Sequence, residues 1–327
     1  MFGTLLGGLP RPPAASPDEA LEVVLRAQAD AGLEPLTDGR LGSPDLADLT
    51  TRLEGIERAP GGDLRARTTP RRVRALTIDS WRAAAVRTDR AVKQALPGPY
   101  SLLRRLDLRG LDADTVIAAL ADALHEEVLE LAAAGCPLVE IEETEAHRIG
   151  IDETERRRFR AAHARLASGI AGTHLSLSLV GPSADAAGVE TILAAPYASL
   201  AADLVAGPDN WRLVARTPGD RGIVAGVLEP GLGSDDRPEL PVWAAHYAAS
   251  TGGRGLARVG LGTAGGLRRL PWAAAVAKLQ RLGDAARIAG LPPGEQADAL
   301  DPRAIDIRTA AVGRDAPPPR RRPRLRP

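Results

Sequence analysis

An α/β protein, a single-domain (β/α)8 TIM barrel with a β-hairpin inserted after its second strand, is the fold class this sequence predicts. Three observations predict it. Short apolar runs of strand length alternate with helical stretches from one end of the chain to the other. Eight such runs can be counted, the number at which a parallel sheet closes around an interior that side chains fill. The 327 residues accommodate one such barrel with loop insertions. A hydrophobic content of 44% supports a sizeable core, and with only 3% aromatic residues that core must be aliphatic.

The expected strands are 4–8, 33–39, 92–99, 138–143, 174–180, 203–207, 222–228 and 258–266. Ser16-Pro17-Asp18-Glu19 starts the first helix, with a capping serine, proline at the first helical position and acids where the helix dipole favours them. That helix runs through Leu21, Val24 and Leu25 and stops at Gly32. Residues 50–90 hold the hairpin, turning at Gly61-Gly62-Asp63 and followed by a polar-alternating run to Ile78. Residues 112–134 are helical, because Val116, Ile117, Leu120, Leu124, Val128 and Leu131 fall at three- and four-residue steps before Gly135. Residues 152–167 form a highly charged helix expected on the outside.

The barrel is expected to occupy residues 1–314, with 315–327 a disordered tail of little but proline and arginine. With 42 basic and 42 acidic residues there is no field of one sign to draw nucleic acid or a membrane. Lys93 and Lys278 are the only lysines. The solitary Cys136 excludes an intrachain disulfide and any multi-cysteine metal site, and it reads as a small buried residue. The apolar run 1–10 has no basic residues before it, and no window resembles a membrane span, so a cytoplasmic protein is expected.

Four stretches together carry a family resemblance. They are Gly7-Gly8-Leu9-Pro10-Arg11-Pro12, Leu36-Thr37-Asp38-Gly39-Arg40, the segment 92–101, and Ala134-Gly135-Cys136-Pro137-Leu138-Val139-Glu140-Ile141-Glu142-Glu143. Their order and spacing resemble the catalytic barrel of cobalamin-independent methionine synthase, with weaker echoes at Gly226-Val227-Leu228-Glu229 and 260–268. The resemblance implies a site at the strand C-termini, lined by Arg11, Asp38, Arg40, Glu142, Glu143, His174 and Glu229. It implies methyl transfer from a methyltetrahydrofolate to homocysteine, whose thiol is activated by coordination to zinc. A folate is therefore the cofactor the resemblance would allow.

At the zinc-holding positions the sequence departs from the family. The family uses a His-x-Cys on the fifth strand, a Glu on the sixth and a Cys on the eighth. Here His174-Leu175-Ser176 keeps only the histidine, the sixth-strand acid falls near Pro208 and Asp209, and 263–268 lacks the cysteine. One imidazole does not make a tight Zn²⁺ site, so no zinc is expected. The family's second-strand Asp-Gly-Glu is Asp38-Gly39-Arg40, exchanging an acid that grips an ammonium for a guanidinium that prefers a carboxylate or phosphate.

The expected ligand is thus a small carboxylate-bearing molecule meeting Arg11 and Arg40, with Asp38, Glu143 and Glu229 also in the substrate pocket and His174 and Glu142 as catalytic proton-handling groups. An enzyme of this kind predicts an open pocket at the strand ends. A non-catalytic binding or regulatory homologue predicts Arg40 paired to Glu142, Glu143 or Asp38. Glycines at 260, 262 and 265 fit dinucleotide spacing but stand too late in the chain for that fold, leaving an anionic substrate tail as their ligand. Uroporphyrinogen decarboxylase shares the architecture, but its arginine-rich N-terminal signature is missing here.

Overall fold

A computed structural model describes residues 1–43, 45–234 and 236–301. The tail expected at 315–327 lies outside them. Ten strands are assigned among the described residues: β1 (Phe2–Thr4), β2 (Glu54–Arg58), β3 (Leu64–Arg71), β4 (Gln94–Pro97), β5 (Leu106–Asp107), β6 (Leu138–Glu143), β7 (His174–Leu179), β8 (Ser199–Asp203), β9 (Gly222–Leu228) and β10 (Val259–Thr263). The α-helices among the described residues are α1 (Pro17–Asp30), α2 (Ile78–Ala85), α3 (Pro99–Arg105), α4 (Ala113–Ala133), α5 (Glu153–Ala167), α6 (Val189–Ile192), α7 (Trp211–Arg216), α8 (Glu239–Ser250), α9 (Trp272–Ala289) and α10 (Pro293–Ala299).

Seven strands form one curled parallel sheet in the order β1-β10-β9-β8-β7-β6-β4. The segment expected as the second strand is represented by a single parallel bridge, Leu36 to Val92. It touches both flanks of the sheet: Glu34 N donates to Gly3 O at 2.9 Å, and Lys93 N donates to Leu36 O at 2.9 Å. A separate sheet, β2-β3-β5, holds the antiparallel pair expected around Gly61-Gly62. The alternating run expected to reach Ile78 ends sooner, because Glu127 of α4 accepts the Thr77 and Ile78 amides at 2.7 and 3.2 Å and opens α2 there.

Helix signals held where capping side chains do the work. Ser16 accepts the Glu19 amide at 3.1 Å while Glu19 accepts the Ala15 amide at 2.6 Å, a reciprocal cap. Asp112 and Asp152 cap α4 and α5 by accepting first-turn amides, without the return bond. The charged helix α5 is not simply external: Phe159, Ala162, His163 and Leu166 make a buried stripe at helical spacing. Cys136 is fully buried, and that burial pushes its thiol pKa up to about 11.

Two strand expectations are corrected. The first strand ends at Thr4 rather than Gly8, because the chain turns at Gly7 (φ 85°) to lie against the loop after β10. A Cβ on Gly7 would stand 2.5 Å from the backbone of Gly266. The sixth strand lies at Ser199–Asp203 rather than 203–207: its Ser-Leu-Ala-Ala-Asp sequence is poor in strand formers, and Asp203 ends it by accepting the Val205 and Ala206 amides at 3.0 and 2.8 Å.

The main apolar core lies between sheet and helices. Inside the curl, one side is filled by the small cluster Leu6, Ala201, Val224 and Phe2. The glycine spacing of β10 serves that packing, since a Cβ on Gly260 would lie 2.4 Å from the Phe2 ring and one on Gly262 would lie 3.0 Å from Leu6. The other side carries charge. Lys93 Nζ meets Glu140 Oε2 at 2.8 Å with both side chains almost wholly buried.

Gly7→Ala is expected to lower stability by more than about 2 kcal/mol, since its overlap is with backbone and its φ is positive. Chemical denaturation measures it, and a variant as stable as the parent contradicts the close approach.

Candidate functional site

The C-terminal ends of the parallel strands converge on one mouth, where the loops after them meet. At its second-strand edge, Asp38-Gly39-Arg40 makes a tight turn. Gly39 and Arg40 both have positive φ, 66° and 56°, and Arg40 N donates to Asp38 Oδ1 at 2.8 Å. A left-handed arginine is uncommon and carries strain unless its surroundings hold it. What holds it is Glu142 at the end of β6: Nη1 of Arg40 donates to Oε1 at 3.1 Å and Nη2 to Oε2, a bidentate fork with side chains 11% and 6% exposed. Burial alone would lower the Arg40 pKa. The Glu142 carboxylate, helped by Glu140 and Asp38, reverses that and raises it.

The Asp38 carboxyl is held above its ordinary range because burial disfavours its charge, against the opposing pull of the Arg40 amide and guanidinium. Beside the fork lies a cavity of about 260 Å³ lined by both charged partners, Pro97, Ser101, Thr144 and a second pair, Arg105–Asp45. Arg105 Nη1 donates to Asp45 Oδ1 at 2.8 Å. Both a pocket and a paired Arg40 are therefore present.

Glu143 does not share this pocket. Next along the strand from Glu142, it faces the helices rather than the interior. Its carboxylate accepts the Tyr100 and Ser101 amides at 3.0 and 2.7 Å, capping α3, and also the Ser101 hydroxyl. His163 Nε2 lies 2.9 Å away on the same carboxylate, and His163 Nδ1 lies 2.6 Å from the Tyr197 hydroxyl. Burial and the Glu143 charge raise the Tyr197 pKa well above normal. Gly98 is required here, because a Cβ would fall 2.1 Å from Glu143 Oε1. Glu143, expected in the substrate pocket, is placed as a cap with both oxygens engaged by protein groups. His163 was missed, although its place four residues after Phe159 on an apolar stripe was the available signal.

His174 is also elsewhere. It opens β7 and pairs in register with Leu138, so it stands at the strand N-termini, four residues and roughly 13 Å along the sheet from the row of Glu142. Its Nε2 is 2.8 Å from Ser199 Oγ. His174 was expected at the strand C-termini with Glu142, and the register places it at the other end, since an apolar-alternating strand read without its register places its two ends equally well. Arg11 is exposed on the loop after β1, and Glu229, half-buried, follows β9.

With this geometry in place, a family model described as cobalamin-independent synthase, catalytic domain, matches residues 46–192. The fold is similar to a B12-independent methionine synthase from Shewanella sp. W3-18-1 solved with selenomethionine (TM-score 0.75, 15% identity, 88% of this chain and 96% of that one). It is also similar to a putative B12-independent methionine synthase from Listeria monocytogenes (TM-score 0.71, 15% identity, 88% and 96%). Residues 46–192 are thus similar in sequence to that catalytic domain, and the fold as a whole is similar to those of the two synthases. A methyltransferase from Methanosarcina mazei is a more distant likeness (TM-score 0.59, 13% identity, 88% and 94%). No curated protein matches the chain in sequence.

Strand register decides which residues stand at the strand ends where metal ligands were expected. The fifth-strand end carries Ser178-Leu179-Val180, not His174. The strand β8 ends at Asp203, whose Oδ2 accepts the Gly181 amide at 3.3 Å, while Pro208 and Asp209, where the acid was expected, lie in a short helical turn beyond the strand. A Cβ on Gly265, after the eighth strand, would lie 3.8 Å from Val180 Cγ1 and 4.0 Å from Asp203 Oδ2, so these positions converge. Among the described residues no group of three His, Cys, Asp or Glu side chains is placed to hold a metal ion.

Arg40→Met alone should cost about 3 kcal/mol by stranding a buried Glu142 carboxylate, while Arg40→Met with Glu142→Leu should recover most of it. A double-mutant cycle by urea denaturation reads the coupling, and additive losses contradict the fork. Asp38 gives a pH test. A carboxyl with a raised folded pKa makes stability fall as pH climbs from the unfolded value through the folded one. Asp38→Asn, which keeps an acceptor for the Arg40 amide, should therefore gain stability relative to the parent between pH 4 and pH 7, and a constant difference contradicts it.

Proposed function

We propose that this chain is a methionine synthase-like barrel protein that binds a small carboxylate-bearing molecule at the strand C-termini, working without zinc-dependent methylation of homocysteine. The bridge at Leu36 serves as the eighth stave of the barrel. The Arg40–Glu142 fork on the wall of the cavity carries the reading. A guanidinium held in bidentate geometry is preorganised for a carboxylate, and a ligand carboxylate that displaces Glu142 toward the cavity it lines keeps the Arg40 charge paired. Arg105 offers a second such exchange with Asp45 at the rim.

Zinc does not fit the converging positions. Val180 and Gly265 provide no donor atom, Ser178 only a hydroxyl, and Asp203 is engaged by backbone amides. Tight sites need three or four thiolate, imidazole or carboxylate donors, and without them a thiol substrate keeps its proton at neutral pH. Because Arg40 is self-paired and His174 lies far from Glu142, the geometry supports the ligand-binding, non-catalytic homologue best.

A zinc-free enzyme is the second reading, favoured by Asp38. Its raised pKa beside the Arg40 turn makes it, rather than His174, the proton-handling group of that reading.

Thermal shift with a panel of small mono- and dicarboxylates tests the proposal. A binder at a hundred times its Kd should stabilise by about 2.7 kcal/mol, and Arg40→Met with Glu142→Leu should abolish the shift. Homocysteine and methyltetrahydrofolate serve as controls. Stoichiometric zinc by elemental analysis, or carboxylate shifts unchanged in the double variant, would refute it.

A further inference from the structure

The interior row of the sheet contains polar groups that the mouth does not use. Parallel register places Glu140 beside Ser176 and Ser176 beside Ser199, and residues so paired point to the same side. At the floor His174 reaches solvent, and its Nε2 is 2.8 Å from Ser199 Oγ. Ser199 Oγ in turn donates to Ser176 Oγ at 2.8 Å. With Ser199 donating its hydrogen to Ser176, the Nε2–H tautomer of His174 is the donor of the first bond, and the donors of these two bonds run inward.

The next step inward is flanked by two groups with no partner among the described residues: Glu140 Oε1, a pure acceptor, and Ser178 Oγ. Both residues are buried, at 2% and 0% exposure. Glu140 Oε2 is held by Lys93 Nζ at 2.8 Å, and the Glu140 charge acts on Arg40. Buried orphan polar atoms are rare and costly, and a polar site with several convergent groups is where an internal water resides.

We propose that one water molecule sits on the barrel axis between Glu140, Ser176 and Ser178 and completes a proton path from His174 at the floor to Glu140 beneath the Arg40–Glu142 fork. The Lys93–Glu140 pair is neutral as a whole, so a neutral donor suits the position better than a cation. Transfer is balanced: His174 Nδ1 takes one proton from solvent as Nε2 gives one to Ser199, each hydroxyl and the water accept one and pass on their own, and Glu140 Oε1 receives one, with the reverse transfer restoring the Lys93–Glu140 pair. The path lets the buried charges exchange protons with solvent when a ligand closes the mouth. It does not depend on which ligand binds.

A crystal structure at about 1.5 Å resolution should show a water within hydrogen-bond distance of both Glu140 Oε1 and Ser178 Oγ. Direct contact between protein groups there, or a dry gap, overturns the proposal. Coupling is read by nitrogen NMR titration of His174. Glu140→Gln should move its midpoint by about 0.3 pH units or more, Ser199→Ala should remove that effect, and Ser199→Thr should keep it. An equal shift with and without the Ser199 hydroxyl overturns the path. Should Glu140→Gln not fold, Ser176→Ala against Ser176→Thr is read on solvent exchange of the His174 Nε2 proton, which must slow only when the hydroxyl is lost.

Discussion

Charge inside a parallel curled sheet persists only if each charged group has a partner, because water is not there to supply one. In this protein the half of the interior not filled by Leu6, Ala201, Val224 and Phe2 is occupied by Lys93 with Glu140 and by Arg40 with Glu142. Those two pairs hold the second, third and fourth strand positions together, force the left-handed turn at Arg40, and shape the cavity wall. The site is what the pairing leaves open.

Neighbouring residues on one strand acquire unrelated roles by the same logic. Glu142 and Glu143 are adjacent in sequence, yet strand alternation sends one to the interior and the other to the helix layer. The inner carboxylate pairs with a guanidinium at the mouth, whereas the outer one fastens α3 and His163. A reading of acidic pairs as shared machinery fails wherever the backbone between them is extended.

The converging strand ends at β7, β8 and β10 show a different substitution of forces. Asp203 there is compensated by three peptide N–H groups instead of a cation, and the carbon and hydrogen of Val180 and Gly265 fill the remaining space. Amide donors are built into the chain, so the loops they tie together are fixed without an added ion.

By itself the sequence determined the alternation of strands and helices, the capped starts of α1, α4 and α5, the antiparallel pair around Gly62, and the replacement of an acid by Arg40. These are local matters, fixed by side-chain period and by caps within a turn of their targets. Only the tertiary structure decided that Arg40 meets Glu142 across 102 residues, that His174 faces the floor, and that Asp203 ends its strand. Register is the reason. Shifting a strand by an even number of residues leaves its apolar alternation intact while moving each end group along the sheet between floor and mouth, and only pairing with neighbouring strands fixes that choice.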